Sequence, residues 1–271
     1  MLGKLIKHEF KATWKVMAII CAVLIGTGIV GGFTLRSFVV QDDMTDIQAL
    51  FLTFISMFFI ILLASMALLS TAYLVVHYYR SLYTSQGYLS FTLPASITQV
   101  VSSRMIVACI WTIASSLCFV ICLVLVTVLG SAHYLPYITE GIDEIVTDIK
   151  DSVGITMFYT YLIQYFLILI LGIISRIMML FFSISIGQLW EKHKILGAVI
   201  AYFTTTFVLS IISTFMSIGY YGSLAAIDSY YSSVDSFLSP YLLRCLIYSV
   251  VLIVLFYVGS IAISNKKLNL D

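Results

Sequence analysis

The sequence predicts an all-α integral membrane protein: six transmembrane helices, an N-terminal interfacial elbow helix and both termini in the cytoplasm. Composition, the spacing of apolar stretches and the distribution of charge carry this reading. Of 271 residues, 61% are hydrophobic and only 10% charged, against roughly 45–50% and 25% in soluble domains. Mean hydropathy is +1.08. These values exclude a disordered chain, a nucleic-acid binder and an ordinary soluble enzyme. A net charge of +1 implies no bulk attraction to an acidic polymer.

The whole chain, 1–271, reads as a single transmembrane domain. Residues 1–15 form the elbow: Leu2, Leu5, Ile6 and Phe10 make an apolar stripe. Lys4, Lys7, Lys11 and Lys15 recur three or four apart on the polar face, suited to anionic headgroups. A helix crossing a ~30 Å hydrocarbon core needs about 20 mostly apolar residues, and six stretches qualify. They are about 16–40, 47–79, 104–130, 154–189, 195–219 and 241–263. Pro94 and Pro136 fall between them, and Pro240 falls where the first turn of a helix tolerates proline. The first stretch exceeds the 7–15-residue core of a signal peptide and has no clear small-x-small site after it, so it is expected to be retained.

Six spans put both termini on one side, and the charges choose which. One set of connecting segments holds Lys4, Lys7, Lys11, Lys15, Arg80, Arg104, Lys192, Lys194, Lys266 and Lys267, against Glu9, Glu191 and Asp271. The other holds Arg36, Lys150 and Arg244 against Asp42, Asp43, Asp46, Glu140, Asp143, Glu144, Asp148, Asp151, Asp228 and Asp235. Lysine and arginine are retained on the cytoplasmic side during insertion, which makes the first set internal.

Much familiar chemistry is missing. Neither a G-x-x-x-x-G-K-[ST] loop nor a G-x-G-x-x-G after a strand occurs, so this chain is not expected to bind ATP. His8, His77, His133 and His193 are scattered, and H-E-x-x-H and G-x-S-x-G are absent. Catalytic residues, metal ligands and bound cofactors are therefore not expected. All five cysteines (Cys21, Cys109, Cys118, Cys122 and Cys245) lie within spans, which indicates no disulfide framework. Every acid lies outside the spans, whereas an ion-coupled carrier usually holds a carboxylate at depth. If the chain moves a solute, the energy is expected from a partner.

The most informative connection runs from Arg80 to Arg104 and is expected to face the cytoplasm. Too short for a domain, it carries Tyr83, Tyr88, Leu89, Phe91 and Leu93, with Gly87 and Pro94 bracketing a short element and Ser96 placed to cap the next helix. Apolar side chains in such a loop seek burial, against headgroups or against another protein. The opening MLGKLIKHEFKAT, the loop GYLSFTLPAS and the stretch FFSISIGQLWEKHKILGAVIAYF together resemble bacterial ABC-2-type transporter permeases. The resemblance extends to span number and spacing over the whole chain. It implies an elbow helix, a coupling helix between spans two and three that docks into a separate ATPase subunit, and pairing of two permease halves. The ATPase-coupling residues would then be Tyr83, Tyr88, Leu89, Phe91, Leu93 and Pro94, within about 83–98. ATP and magnesium would be held by the partner ATPase, and the location would be the bacterial cell membrane.

Other features leave alternatives open. Glu191, Lys192 and Lys194, between spans four and five, are a solvated turn or a second cytoplasmic contact. Span four, about 36 residues and ~54 Å long, exceeds what a bilayer requires. Its Arg176 either snorkels to the inner headgroups or sits at depth near a substrate path with Gln164. The two are twelve residues apart, about 120° around the helix, which weakens a shared face. Gly28, Gly31 and Gly32 suit close helix packing, within the chain or between copies. Residues 138–151 place Ile138, Ile142, Ile145, Val146 and Ile149 at helical spacing among acids, as an amphipathic helix on the outer surface. Tyr220, Tyr221, Tyr230, Tyr231 and Phe237 mark the last outer loop as interfacial. The expected function is the permease half of an ATP-driven exporter; the alternatives are a self-contained secondary carrier or channel, or an accessory protein.

Overall fold

The computed structural model describes residues 2–39, 45–84, 96–131, 134–190, 192–226 and 234–266. Among these residues there are seven helices and no strand. They are α1 (Leu2–Val39), α2 (Asp46–Tyr83), α3 (Ile97–Gly130), α4 (Leu135–Val153), α5 (Ile155–Gly187), α6 (Lys194–Ala226) and α7 (Val234–Lys266). All but α4 contain a stretch long and apolar enough to cross a bilayer: Leu2–Ser37, Asp46–Tyr83, Ile97–Gly130, Ile155–Gly187, Lys194–Ile218 and Pro240–Asn265. The chain is a multi-pass membrane protein, and each of the six expected spans lies on its own helix.

Two boundaries differ from expectation. Residues 2–15 are not a separate element; they are the first turns of α1, which runs unbroken to Val39. No glycine or proline occurs between Gly3 and Gly26, so nothing stops the helix at Lys15. At ~1.5 Å per residue α1 is about 57 Å long, nearly twice the hydrocarbon thickness. Its first turns carry Lys4, Lys7, Lys11 and Lys15, all exposed. The second difference is at Pro240, which lies inside α7 because that helix begins six residues earlier, at Val234. A span tolerates the lost hydrogen bond when neighbouring groups re-satisfy the freed carbonyl.

The helices group into two compact units, residues 3–76 with 106–145, and residues 1–2, 77–105 and 146–271. In the first, α1 and α3 run parallel. Phe10 stacks on Trp111 with ring centroids 4.8 Å apart, and the Trp111 indole N–H donates to Thr13 Oγ1 at 2.9 Å. Further along, a Cβ on Gly28 would come within 3.0 Å of Cys122, and one on Gly32 within 2.6 Å of Leu129. The glycines thus let α1 and α3 touch within one chain, which settles the packing of Gly28 and Gly32. Gly31 instead lies against Phe59 of α2. Leu24, Leu63 and Cys122 form the buried centre where these three helices meet.

In the second unit α5 packs against α6 and α7. α5 and α6 form an antiparallel hairpin whose turn is tight because Gly187 meets the Ala198 backbone and Gly197 meets the Trp190 ring. α5 and α7 run parallel: the Phe182 ring lies 5.4 Å from that of Phe256 and against Gly259. These directions, parallel for α1 with α3 and for α5 with α7, are those of helices separated by two crossings.

Both units present apolar surface outward. Phe54, Leu68, Phe203 and Phe215 are each about two-thirds exposed or more, as lipid-facing side chains must be. Polar side chains on the spans mostly bond their own helix. Thr53, Ser65, Ser175 and Ser210 each donate to a carbonyl three or four residues earlier, which removes a hydroxyl from apolar surroundings at little cost.

The expected outer amphipathic element is α4, three residues longer at its start. Ile138, Ile142, Ile145 and Ile149 are all exposed, so these isoleucines are left uncovered by the described residues. α4 turns into α5 at Gly154, whose φ of +88° suits glycine. Across that turn the Lys150 ammonium lies 5.4 Å from the Phe158 ring.

Candidate functional site

The densest buried polar group in the second unit joins the last turns of α2, α5 and α7. Tyr83, the final residue of α2, is 7% exposed. Its hydroxyl lies 3.1 Å from Ser185 Oγ on α5 and 3.2 Å from Ser264 Oγ on α7. The proton order follows from what else these groups do. Ser185 Oγ donates to the Phe181 carbonyl at 3.0 Å, so toward Tyr83 it acts as acceptor. Tyr83 therefore donates to Ser185 and accepts from Ser264. The bonds run one way, from Ser264 through Tyr83 and Ser185 to the α5 backbone, and such chains polarise one another.

Aromatic packing encloses this chain. Tyr78, five residues earlier on α2 and buried, stacks on Phe181 with centroids 4.0 Å apart and planes 13° off parallel. It meets Tyr83 edge-on at 6.3 Å. The Tyr78 hydroxyl, close to Ser185 and Tyr83, makes no hydrogen bond of normal geometry. On α3, Ser102 Oγ lies 2.8 Å from the Tyr257 hydroxyl of α7, and Arg104 beside it is buried. Gln188 caps α5 through its backbone N–H. Its side chain is 93% buried, 7% being exposed, with neither amide end hydrogen-bonded.

The contacts bring to one end of this unit the helix termini next to Arg80, Arg104, Lys192, Lys194 and Lys266. Three of the segments assigned to one side by charge thus share one end in space: the α2–α3 connection, the α5–α6 turn and the segment after α7. Lys192 is exposed in the α5–α6 turn, and Lys194 is half-buried at the start of α6.

The site residues expected from the sequence fare differently. Tyr83 is turned inward and buried, because α2 continues through it, and its hydroxyl bonds within the chain. Tyr88, Leu89, Phe91, Leu93, Pro94 and Glu191 lie outside the described residues. Gln164 and Arg176 are not brought together. Arg176 is exposed on α5, next to buried Ser175 and Ile177, whereas Gln164 is half-buried with its Oε1 enclosed and without a hydrogen bond. Sequence reasoning missed Ser185, Ser264, Tyr78 and Gln188. One signal was present, the polar letters at 183, 185 and 188 late in an apolar span, but nothing in their spacing names Tyr83 as partner.

A second feature is an apolar groove of about 400 Å³ in the first unit, between α1 and α2. Val23, Gly26, Val30, Phe58 and Leu62 line it, and space beside Gly26 is open. Its lining carries only the hydroxyls of Thr27 and Thr34, both bonded to their own helix, so it holds no group that would do chemistry. No protein-family model, no curated protein and no solved structure matches this chain.

Proposed function

We propose that the chain is the membrane-spanning permease subunit of an ATP-driven ABC exporter in a bacterial cell membrane. It pairs with a second permease half, identical or related, and couples to separate ATPase subunits through the connection between α2 and α3. The observation that carries this reading is the joining of three connection-bearing helix ends, those of α2, α5 and α7, around Tyr83, Ser185 and Ser264, with α3 tied to α7 through Ser102 and Tyr257. The segment after Tyr83, with Tyr88, Leu89, Phe91, Leu93 and Pro94, then leaves from a braced base beside the turn bearing Glu191, Lys192 and Lys194. A soluble subunit docking there reaches α2, α3, α5 and α7 at once. Positive charge places this end, and both termini, on the cytoplasmic side. The lysine-bearing turns of α1 then take the place of the elbow, resting against anionic headgroups.

No nucleotide-binding motif is needed in such a subunit, since ATP and magnesium belong to the ATPase. The test is a pull-down of the tagged chain from detergent-solubilised native membranes, with every co-purifying protein identified. A stoichiometric ATP-hydrolysing subunit supports the reading and reports whether one or two permease chains are present. A chain that purifies alone, and stays alone after mild crosslinking, moves the assignment to a self-contained carrier or channel.

A further inference from the structure

We propose that the apolar groove between α1 and α2 holds one acyl chain of a phospholipid as a bound component of the first unit. The groove shares no residue with the polar group around Tyr83, and its occupancy is independent of any ATPase partner.

Length, width and lining chemistry select this occupant. The groove follows α1 from Val23 to Thr34 and α2 from Ile55 to Leu62. Eleven residue steps along α1, at ~1.5 Å each, make it about 17 Å long, close to half of a ~30 Å hydrocarbon layer. It ends at Thr34, three residues before the apolar stretch of α1 ends at Ser37, and so occupies the leaflet reached by the end of that helix. Spread over this length, about 400 Å³ gives a mean cross-section of about 24 Å², or roughly 5–6 Å across. That admits a single file of carbon atoms, which pack at ~3.5–4.0 Å. A helix of a second copy, ~10 Å or more in diameter, would ride on the rim and leave the slot unfilled.

The floor is closed. A Cβ on Gly31 would overlap the Phe59 ring, and Phe59 packs on the buried centre formed by Leu24, Leu63 and Cys122. The rim is open: Val30 is 64% and Phe58 67% exposed, and nothing lies within 4 Å of a Cβ on Gly26. Thr27 and Thr34 donate to the carbonyls of Leu24 and Gly31, at 2.8 Å each, so both wall hydroxyl protons are already used. A peptide or a sugar would bury its own donors and acceptors there unpaired, a cost that an alkyl chain does not carry. Lipid tails are as apolar as these walls, so hydrophobic transfer gives no preference for the groove over the bilayer. Retention comes instead from contact, because a closed-floored slot touches the chain on three sides with atoms that stay in place.

The test is native mass spectrometry of the full chain, purified from its membranes and washed in a delipidating detergent. The wild type should retain one phospholipid per chain. Gly26→Phe, whose ring would fill the open space, should lower that occupancy by about fivefold or more, the equivalent of roughly ten lost carbon–carbon contacts. Phe58→Ala removes a wall instead of adding bulk and should lower it as well, so that failure of one variant to fold leaves the other to decide. Gly172→Phe, placed in open space on α5, should keep the lipid. Spin-labelled phosphatidylcholine in reconstituted vesicles reads the same occupancy in a bilayer, as a motionally restricted component that Gly26→Phe removes. A wild-type chain that is stripped of lipid, or that holds detergent only, overturns the proposal, as does unchanged retention in both groove variants. So does a dimer crosslinked through Val30→Cys in an otherwise cysteine-free chain, which assigns the groove to a second copy.

Discussion

Gly187→Ala is the perturbation whose outcome the geometry fixes most tightly. The side chain would place its Cβ 2.5 Å from the Ala198 backbone nitrogen and 2.7 Å from its Cα. Ordinary contact begins at 3.4 Å, so the first turn of α6 must retreat by about 0.9 Å, the difference between 3.4 and 2.5 Å. The obstacle is backbone, which has no rotamer to yield. Overpacking of this kind costs about 1–3 kcal/mol, partly offset by the ~0.4–1 kcal/mol that Ala gains over Gly through the unfolded chain. The net expectation is a loss of about 1–2 kcal/mol. Gly172→Ala, on the same helix, supplies the opposite sign: nothing lies within 4 Å of its Cβ, so only the gain of ~0.4–1 kcal/mol remains. Thermal unfolding of the purified protein, followed with a thiol-reactive fluorophore on the native cysteines, measures both. By the soluble-protein scale of about 2–4 °C per kcal/mol, Gly187→Ala should unfold ~2–8 °C lower and Gly172→Ala ~1–4 °C higher. Two substitutions shifting upward together would refute the close contact between α5 and α6.

Thr13→Val should destabilise the first unit by about 1–3 kcal/mol, since it leaves the buried Trp111 indole N–H without its acceptor. Thr13→Ser should restore most of that in the same unfolding assay, and a neutral Thr13→Val would sink the assignment. Gln188→Leu should be neutral or stabilising, because it removes amide groups that are buried without bonds. A loss above about 1 kcal/mol would mean that the amide is paired. Phe91→Asp should abolish ATPase co-purification while leaving membrane insertion intact, and retained association would overturn the docking role of that segment. In a cysteine-free background, a cysteine at Lys192 should react with a membrane-impermeant maleimide only from the cytoplasmic side and one at Asp148 only from outside. The reverse pattern would invert the topology.

Six spans were legible because hydropathy integrates over about 20 residues, so no single assignment depends on one side chain. The amphipathic helix α4 was legible for the same reason, its isoleucines recurring at helical spacing from Ile138 to Ile149. The helical arithmetic also anticipated that Gln164 and Arg176 would not share a face. What periodicity cannot supply is the partner of a close contact. Gly28 and Gly32 announce that another helix approaches; that it is α3 of the same chain depends on Cys122 and Leu129, some ninety residues away. Tyr83 carries the lesson further. At the edge of an apolar loop it reads as a surface anchor, but α2 continues through it and turns it toward Ser185 and Ser264. An aromatic hydroxyl suits either role, since it offers an apolar ring to a partner and a polar tip to a buried serine. Only the end point of α2 decides between them, and helix ends are where sequence signals are weakest. Burying Tyr83 in turn sharpens the docking proposal. It narrows the residues that Phe91→Asp and its neighbours must test to Tyr88, Leu89, Phe91 and Leu93.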